Sequence, residues 1–188
     1  MRNDDDPVPP DCVGMVYRLE RDKLNEDAIK PFIAIALKRP QTKILIVGGG
    51  SLLAPFQEAV KEAGVEAQFE FTGYVEYDTL PDYYRRMSLF IAPVWKESFG
   101  QVSPFAMNMR VPVIGYDVGA ISEIVNSKAM LAPAGDAERL ADIAIDLLNN
   151  DELRAMLGRE HQQRAVGHFS VQAMISAYAG LYAEITEK

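Results

Sequence analysis

Six short apolar runs punctuate the chain, and each is followed by a longer stretch with helical spacing. The runs are Cys12–Tyr17, Lys43–Val47, Ala67–Phe71, Leu89–Pro93, Val111–Gly115 and Ala129–Ala132. Most are apolar throughout rather than alternating, the pattern of strands covered on both faces. Such strands, separated by helices, build a parallel sheet with crossover connections. The expectation is an α/β fold: a single Rossmann-like, doubly wound domain with a six-stranded parallel sheet. It would occupy residues 12–188, with the acidic, proline-rich residues 1–11 as a linker. At 188 residues and 48% hydrophobic, the chain can bury one full core.

The helical patterns carry their own stop and start signals. Pro31 inside Glu26–Arg39 means a kink or a true start near Lys30. Leu52–Ala63 stops at Gly64. Thr79 is placed to cap Leu80–Met87, Asp136 to cap a helix reaching Asn149, and Asp151 one reaching about Gly167. A helix over Gln101–Met109 and a last one from Ser170 through Glu187 complete the set.

Several function classes drop out. A net charge of -8 is the opposite of a nucleic-acid-binding surface. A single cysteine, Cys12, allows no disulfide and no cysteine metal cluster within the chain. His161 and His168 lie in a polar helical pattern without metal-ligand spacing, so no metal site is expected. No apolar run approaches the ~18 residues that span a bilayer, and the start does not read as a signal peptide. A cytoplasmic protein is the plain expectation.

In a doubly wound sheet, ligands bind beyond the carboxyl ends of the strands. The first strand leads into "YRLERDK", where Arg18 and Lys23 could neutralise a diphosphate, one as a planar fork and one as a point charge. The other reading is a solvated charged loop, since Glu20, Arg21 and Asp22 intervene. After the second strand, Gly48–Gly50 looks like a phosphate loop, but Leu53 stands where a dinucleotide fingerprint needs glycine and no Walker lysine follows. A tight turn is the better reading. After the third, Tyr74 and Val75 follow Gly73, and Tyr74 either flanks a base or packs within its loop.

The fourth strand ends in "PVWKESFGQV". Ser98-Phe99-Gly100 turns the chain into a helix beginning near Gln101, whose first amides form an anion site. Glu97 just before it would be repelled by phosphate, so sugar hydroxyls suit it; the alternative is a surface ion pair with Lys96 or an arginine. Asp117 and Gly119 face the same edge after the fifth strand.

Together these segments resemble the C-terminal domain of the group-1 family of retaining glycosyltransferases, which have the two-domain GT-B fold. The resemblance runs from Cys12 to about Ser170 through "VYRLERDK", "PQTKILIVGGG", "LPDYYRRMSLFIAPVWKESFGQV", "MNMRVPVIGYDVGAISEIV" and "LAPAGDAERLADI". The first of these is similar to the family's Gly-Arg-Leu segment, which has a lysine five residues after the arginine. The resemblance implies a domain that binds a nucleotide-diphosphate sugar for transfer to an acceptor hydroxyl, as in polysaccharide biosynthesis. Arg18 and Lys23 would hold the diphosphate, and Glu97 would bind a hydroxyl of the donor sugar. The turn from Ser98 through the amides of Phe99, Gly100, Gln101 and Val102 would touch the sugar or distal phosphate. Backbone near Tyr74 and Val75 would meet the base. No cofactor and no metal ion is implied, because cations and a helix dipole already face the diphosphate.

The resemblance also implies an acceptor-binding N-terminal domain, in the same or another chain, with a peripheral membrane acceptor among its options. The last helix would then turn away from the core towards that domain, and these 188 residues alone would show little transfer. Two positions depart from the family pattern. Phe105 stands eight residues after Glu97, where a second glutamate usually binds the ribose hydroxyls. The ring would either line the ribose pocket, with Asp117 or Glu123 substituting as the acid, or belong to the core. Arg110 replaces a small helix-ending residue. Two further readings stay open: a degenerate module that holds nucleotide or a partner protein, and a nucleotide-sugar epimerase of the same architecture.

Overall fold

The computed structural model describes residues 11–186. The proposed linker therefore lies almost entirely outside the described residues, as does the end of the last helical pattern. Six parallel strands form one sheet in the order β3-β2-β1-β4-β5-β6. They are β1 Cys12–Val16, β2 Lys43–Val47, β3 Phe69–Phe71, β4 Leu89–Ala92, β5 Val113–Tyr116 and β6 Leu131–Ala132. Every residue of β1, β4 and β5 is buried, which accounts for their unbroken apolar character. The edge strands are short: Ala67 and Gln68 belong to a 3-10 turn rather than to β3, and β6 has two residues.

The helices are α1 Lys30–Lys38, α2 Leu53–Glu62, α3 Leu80–Arg86, α4 Val102–Asn108, α5 Ile121–Val125, α6 Ala137–Leu148, α7 Asp151–His168 and α8 Val171–Thr186. Pro31 falls in the first turn of α1, where a proline is tolerated, and a 3-10 turn over Glu26–Ile29 precedes it. The Asp136 carboxylate caps α6 by accepting from the Arg139 amide at 3.0 Å. Two expected caps are corrected. A 3-10 turn over Tyr77–Thr79 runs directly into α3, so Thr79 is itself helical and its hydroxyl donates back to the Glu76 carbonyl. The cap of α7 is Asn150, one residue before Asp151, through its side-chain oxygen and the Leu153 amide.

Helix α1 packs on α6 and α4 packs on α7. The exception is α8, which has no buried residue and exposes Val171, Met174, Ile175, Tyr178, Tyr182 and Ile185. Among the described residues no helix is long and apolar enough to cross a membrane.

The strand order fixes where a ligand can sit. The chain winds outward from β1 to β3, returns to place β4 beside β1, then winds the other way. The loops after β1 and β4 therefore diverge over opposite faces and leave a crevice between them.

Candidate functional site

The crevice exists: a cleft of about 360 Å³ is lined by Tyr17, Arg18, Asp22 and Lys23 from the β1 loop and by Glu97 to Val102 from the β4 loop. Two backbone contacts fix its walls. The Trp95 amide donates to the Lys23 carbonyl at 3.1 Å, tying the loops together. The Ala120 amide donates to the Glu97 carbonyl at 3.2 Å, and this needs a glycine next door. Gly119 has φ +49° and a Cβ there would lie 1.9 Å from the Glu97 oxygen.

At the centre, Lys23 Nζ lies 2.7 Å from Glu97 Oε1, joining residues 74 apart in sequence. The Glu97 side chain has no exposed surface, while Lys23 is 38% exposed. The Ser98 amide also donates to Oε1, at 3.0 Å. Oε2 is buried and has no partner. A surface ion pair of Glu97 with Lys96 or an arginine is thus excluded: its partner is Lys23 and the carboxylate is inside. Arg18 lies at the rim, paired with Asp22 at 2.7 Å and largely exposed. An exposed pair of this kind holds by less than about 1 kcal/mol, so the guanidinium is free to turn towards a stronger anion.

Arg18, Lys23, Glu97, Ser98, Phe99, Gly100, Gln101 and Val102 all line this one cleft. Tyr74, Val75 and Phe105 do not. Tyr74 is exposed, with its ring against Gly49. Val75 is half-buried in the same loop. Phe105 is 42% exposed, so assigning it to the core is incorrect. Its ring meets Tyr77 edge-on at 6.4 Å, between a neighbouring cleft of about 480 Å³ beside Phe99 and Phe169 and one of about 290 Å³ beside Tyr84 and Met109. It is exposed because α4 buries Ser103, Ala106 and Met107 instead. Asp117 and Glu123 do not line the central cleft. The glycine turn Gly48–Gly50 is packed from below: a Cβ on Gly48 would meet the Tyr17 carbonyl at 1.9 Å. This close approach is the turn's structural reason.

Sequence reasoning missed Tyr17 and Asp22. The signal for Tyr17 was its place as the last apolar residue before the charged loop, where a phenol can be half of the core and half of the site. Elsewhere the buried polar groups are structural. His161 accepts from the Val113 amide through Nδ1 at 3.1 Å, and burial lowers its pKa to about 4. Burial raises the Cys12 thiol to about 11, leaving it protonated and inert. Among the described residues no group of three acidic, histidine or cysteine side chains could hold a metal.

Comparison with known proteins gives the same fold. The family model described as "Glycosyl transferases group 1" matches residues 4–164. The lipopolysaccharide core biosynthesis mannosyltransferase LpsB of Rhizobium meliloti is 29% identical over 179 residues, covering 90% of this chain and 50% of that protein. The chain spans about half the length of the curated relatives it matches. The C-terminal domain of a group 1 family glycosyl transferase (LpcC) from Francisella tularensis superposes with a TM-score of 0.76 at 22% identity, over 87% of this chain and 89% of that one. Alr3699/HepE of Anabaena, in complex with UDP and glucose, gives 0.81 at 22% identity, over 93% of this chain and 48% of that one. At such identities the structural matches establish the fold alone.

Proposed function

Since the chain belongs to the group 1 glycosyltransferases, we propose that its central cleft binds the nucleotide-diphosphate sugar donor of a retaining sugar transfer. The observation that carries this is Glu97: a carboxylate without exposed surface, anchored through Oε1 by Lys23 and the Ser98 amide, with Oε2 unpartnered. A buried acceptor oxygen with no partner costs free energy unless a ligand's donor meets it. Sugar hydroxyls supply such donors, and phosphate does not. Lys23 and Arg18 line the same cleft and are the more exposed of the three side chains. Both cations can face a diphosphate while Glu97 faces the sugar. That solved relatives such as HepE were obtained with UDP and glucose supports the same ligand class.

In the transfer, the bond from the anomeric carbon to the phosphate oxygen breaks, the acceptor oxygen bonds to the same face, and the acceptor hydroxyl's proton passes to the departing phosphate oxygen. The nucleoside diphosphate departs with the charge that Arg18 and Lys23 face, so no metal ion is required. Backbone near Tyr74 and Val75 would meet the base, and Phe105 with Tyr77 would flank the nucleoside. The acceptor would come from a second domain, to which the exposed face of α8 would also dock. Orientation of two substrates accounts for about 7–11 kcal/mol of a barrier, so this chain alone is expected to bind donor without turning it over.

Calorimetry with UDP-, GDP- and ADP-glucose in the presence of EDTA tests the reading. One of them should bind with unit stoichiometry and without metal. Failure of all three, or restoration of binding by a divalent ion, would reject it.

A further inference from the structure

Helix α8 and the central cleft meet at one aromatic contact. Phe169 follows the last residue of α7, and α8 begins at Val171. The Phe169 ring lies 6.1 Å from the ring of Phe99, inclined at 72° and so nearly edge-on. Phe99 lines the cleft, in the loop that carries Glu97. Packing of α7 on α4 brings these distant parts of the chain together.

A second contact ties the same ring to the other side of that loop. The Arg164 guanidinium lies over the Phe169 ring, 5.5 Å from its centre. Arg164 Nε donates to the Ile124 carbonyl at 2.9 Å, and Nη2 donates to the Glu123 carbonyl at 2.6 Å. Both carbonyls belong to the last turn of α5, where a helix leaves its own acceptors unused. Just before α5, the Ala120 amide donates to the Glu97 carbonyl at 3.2 Å. Phe169 therefore reaches the Glu97 loop twice, directly through Phe99 and indirectly through Arg164 and α5.

Beyond Phe169 lies a lightly anchored part of the fold. Helix α8 has no buried residue and packs on α7. Its start is fixed by the Ser170 hydroxyl, which accepts from the Ala173 amide at 3.1 Å. A helix held at its base takes its direction from the groups at that base, and the half-buried Phe169 is one of them.

We propose that Phe169 is a positioning residue that couples α8 to the donor cleft: its ring braces Phe99, so a filled cleft steadies α8 and a steadied α8 tightens the cleft. Such coupling is reciprocal by thermodynamic necessity. The contact bounds its size, because one edge-on aromatic pair can change either equilibrium by only about twofold to tenfold. A second domain docked on the exposed face of α8 would in this way raise donor affinity without touching the donor. The proposal rests on the donor-site reading above.

The test is Phe169→Leu, which keeps an apolar side chain at the core's edge, beside Phe169→Tyr, which keeps the ring. Each chain is titrated with UDP-glucose (or the donor that binds in its place), and amide hydrogen exchange over α8 is followed with and without ligand. In the wild type, ligand should slow exchange over residues 171–178 about twofold to tenfold. Phe169→Leu should weaken the ligand by a similar factor and abolish the slowing, while Phe169→Tyr should retain both. A residue that merely fills the core's edge would lower Tm in Phe169→Leu and leave the ligand-dependent slowing in place. That result overturns the proposal, as does wild-type exchange in α8 that ligand does not alter. If the wild type binds no nucleotide sugar, the donor reading itself has failed. The brace is then decided on the free chain with Phe99→Ala, a truncation the fold tolerates because Phe99 is exposed. It should speed exchange in α8 as Phe169→Leu does, and unchanged exchange rejects the brace.

Discussion

Two sets of buried polar groups sit on the same sheet and are treated differently. At one, Ser88 Oγ accepts from the Cys12 amide at 2.9 Å and donates to the Cys12 carbonyl at 3.0 Å, while His161 accepts from the Val113 amide. At the other, around the cleft, Tyr17 Oη, Ser103 Oγ and Glu97 Oε2 are buried and unpartnered. The first set serves the backbone: each closes a gap where a strand's main chain would otherwise lack a partner. The second leaves the fold's own accounts open at the carboxyl ends of β1 and β4. Ser88 and His161 are satisfied within the fold, whereas Glu97 Oε2 beside the cleft is left for a ligand to satisfy.

The largest effect expected from this contrast is in pH. Burial, with Arg164 adding to it, lowers the His161 pKa from 6.5 to about 4. Below pH 6.5 the unfolded chain takes up a proton that the folded chain refuses. Stability should therefore fall from pH 6.5 downward, by roughly 3 kcal/mol when pH reaches about 4, with no slope from this group above pH 6.5. Urea titrations of the wild type and His161→Leu across pH 4–7.5 measure it, and the slope between pH 6.5 and 4 should be shallower in the variant.

The next effect compares the two sets directly at neutral pH. His161→Leu leaves the Val113 amide buried without an acceptor and should cost about 1–3 kcal/mol. Glu97→Met removes the unpartnered Oε2 together with Oε1, and both donors to Oε1 can turn to water, because Lys23 is partly exposed and Ser98 is exposed. That variant should keep or raise Tm while losing recognition of the donor sugar. If Glu97→Met destabilises as much as His161→Leu, the two sets are not different in kind.

How much of this was legible in the sequence depended on range. The buried strands β1, β4 and β5 announced themselves because strands covered on both faces must be apolar throughout. The cap at Asp136 was legible because an aspartate before an amphipathic run needs no distant partner. Thr79 was misread because a 3-10 turn preceded its helix, and no local signal separates the two. The helix α5 passed unnoticed at five residues, too short to show a period. Arg18, Lys23 and Glu97 were singled out by their place after strand ends, which is where the cleft lies. That Lys23 would bond Glu97 was not, since 74 residues separate them and only the β1–β4 adjacency brings them together. The exposure of Phe105 was likewise set by which face of α4 meets the sheet, which a seven-residue helix does not reveal by periodicity.

A smaller effect concerns Phe105. Since the ring is partly exposed, Phe105→Glu should change stability by less than about 1 kcal/mol rather than the several that burial of a charge would cost. If the nucleoside lies against this ring, the new carboxylate should tighten a ribonucleotide by about threefold to tenfold. An analogue lacking both ribose hydroxyls should be unaffected. Equal effects on the two would place the ribose elsewhere.

The division of labour inside the cleft is open to a single calorimetric series. Wild type, Lys23→Ala and Glu97→Gln are each titrated with a nucleotide sugar and with its nucleoside diphosphate, folding being checked by circular dichroism. Lys23→Ala should weaken both ligands about tenfold or more, because it removes a charge-assisted contact to the diphosphate they share. Glu97→Gln should weaken the nucleotide sugar and spare the diphosphate. Affinities unchanged by Lys23→Ala, or a loss in Glu97→Gln that is the same for both ligands, would contradict the assignment of lysine to phosphate and glutamate to sugar.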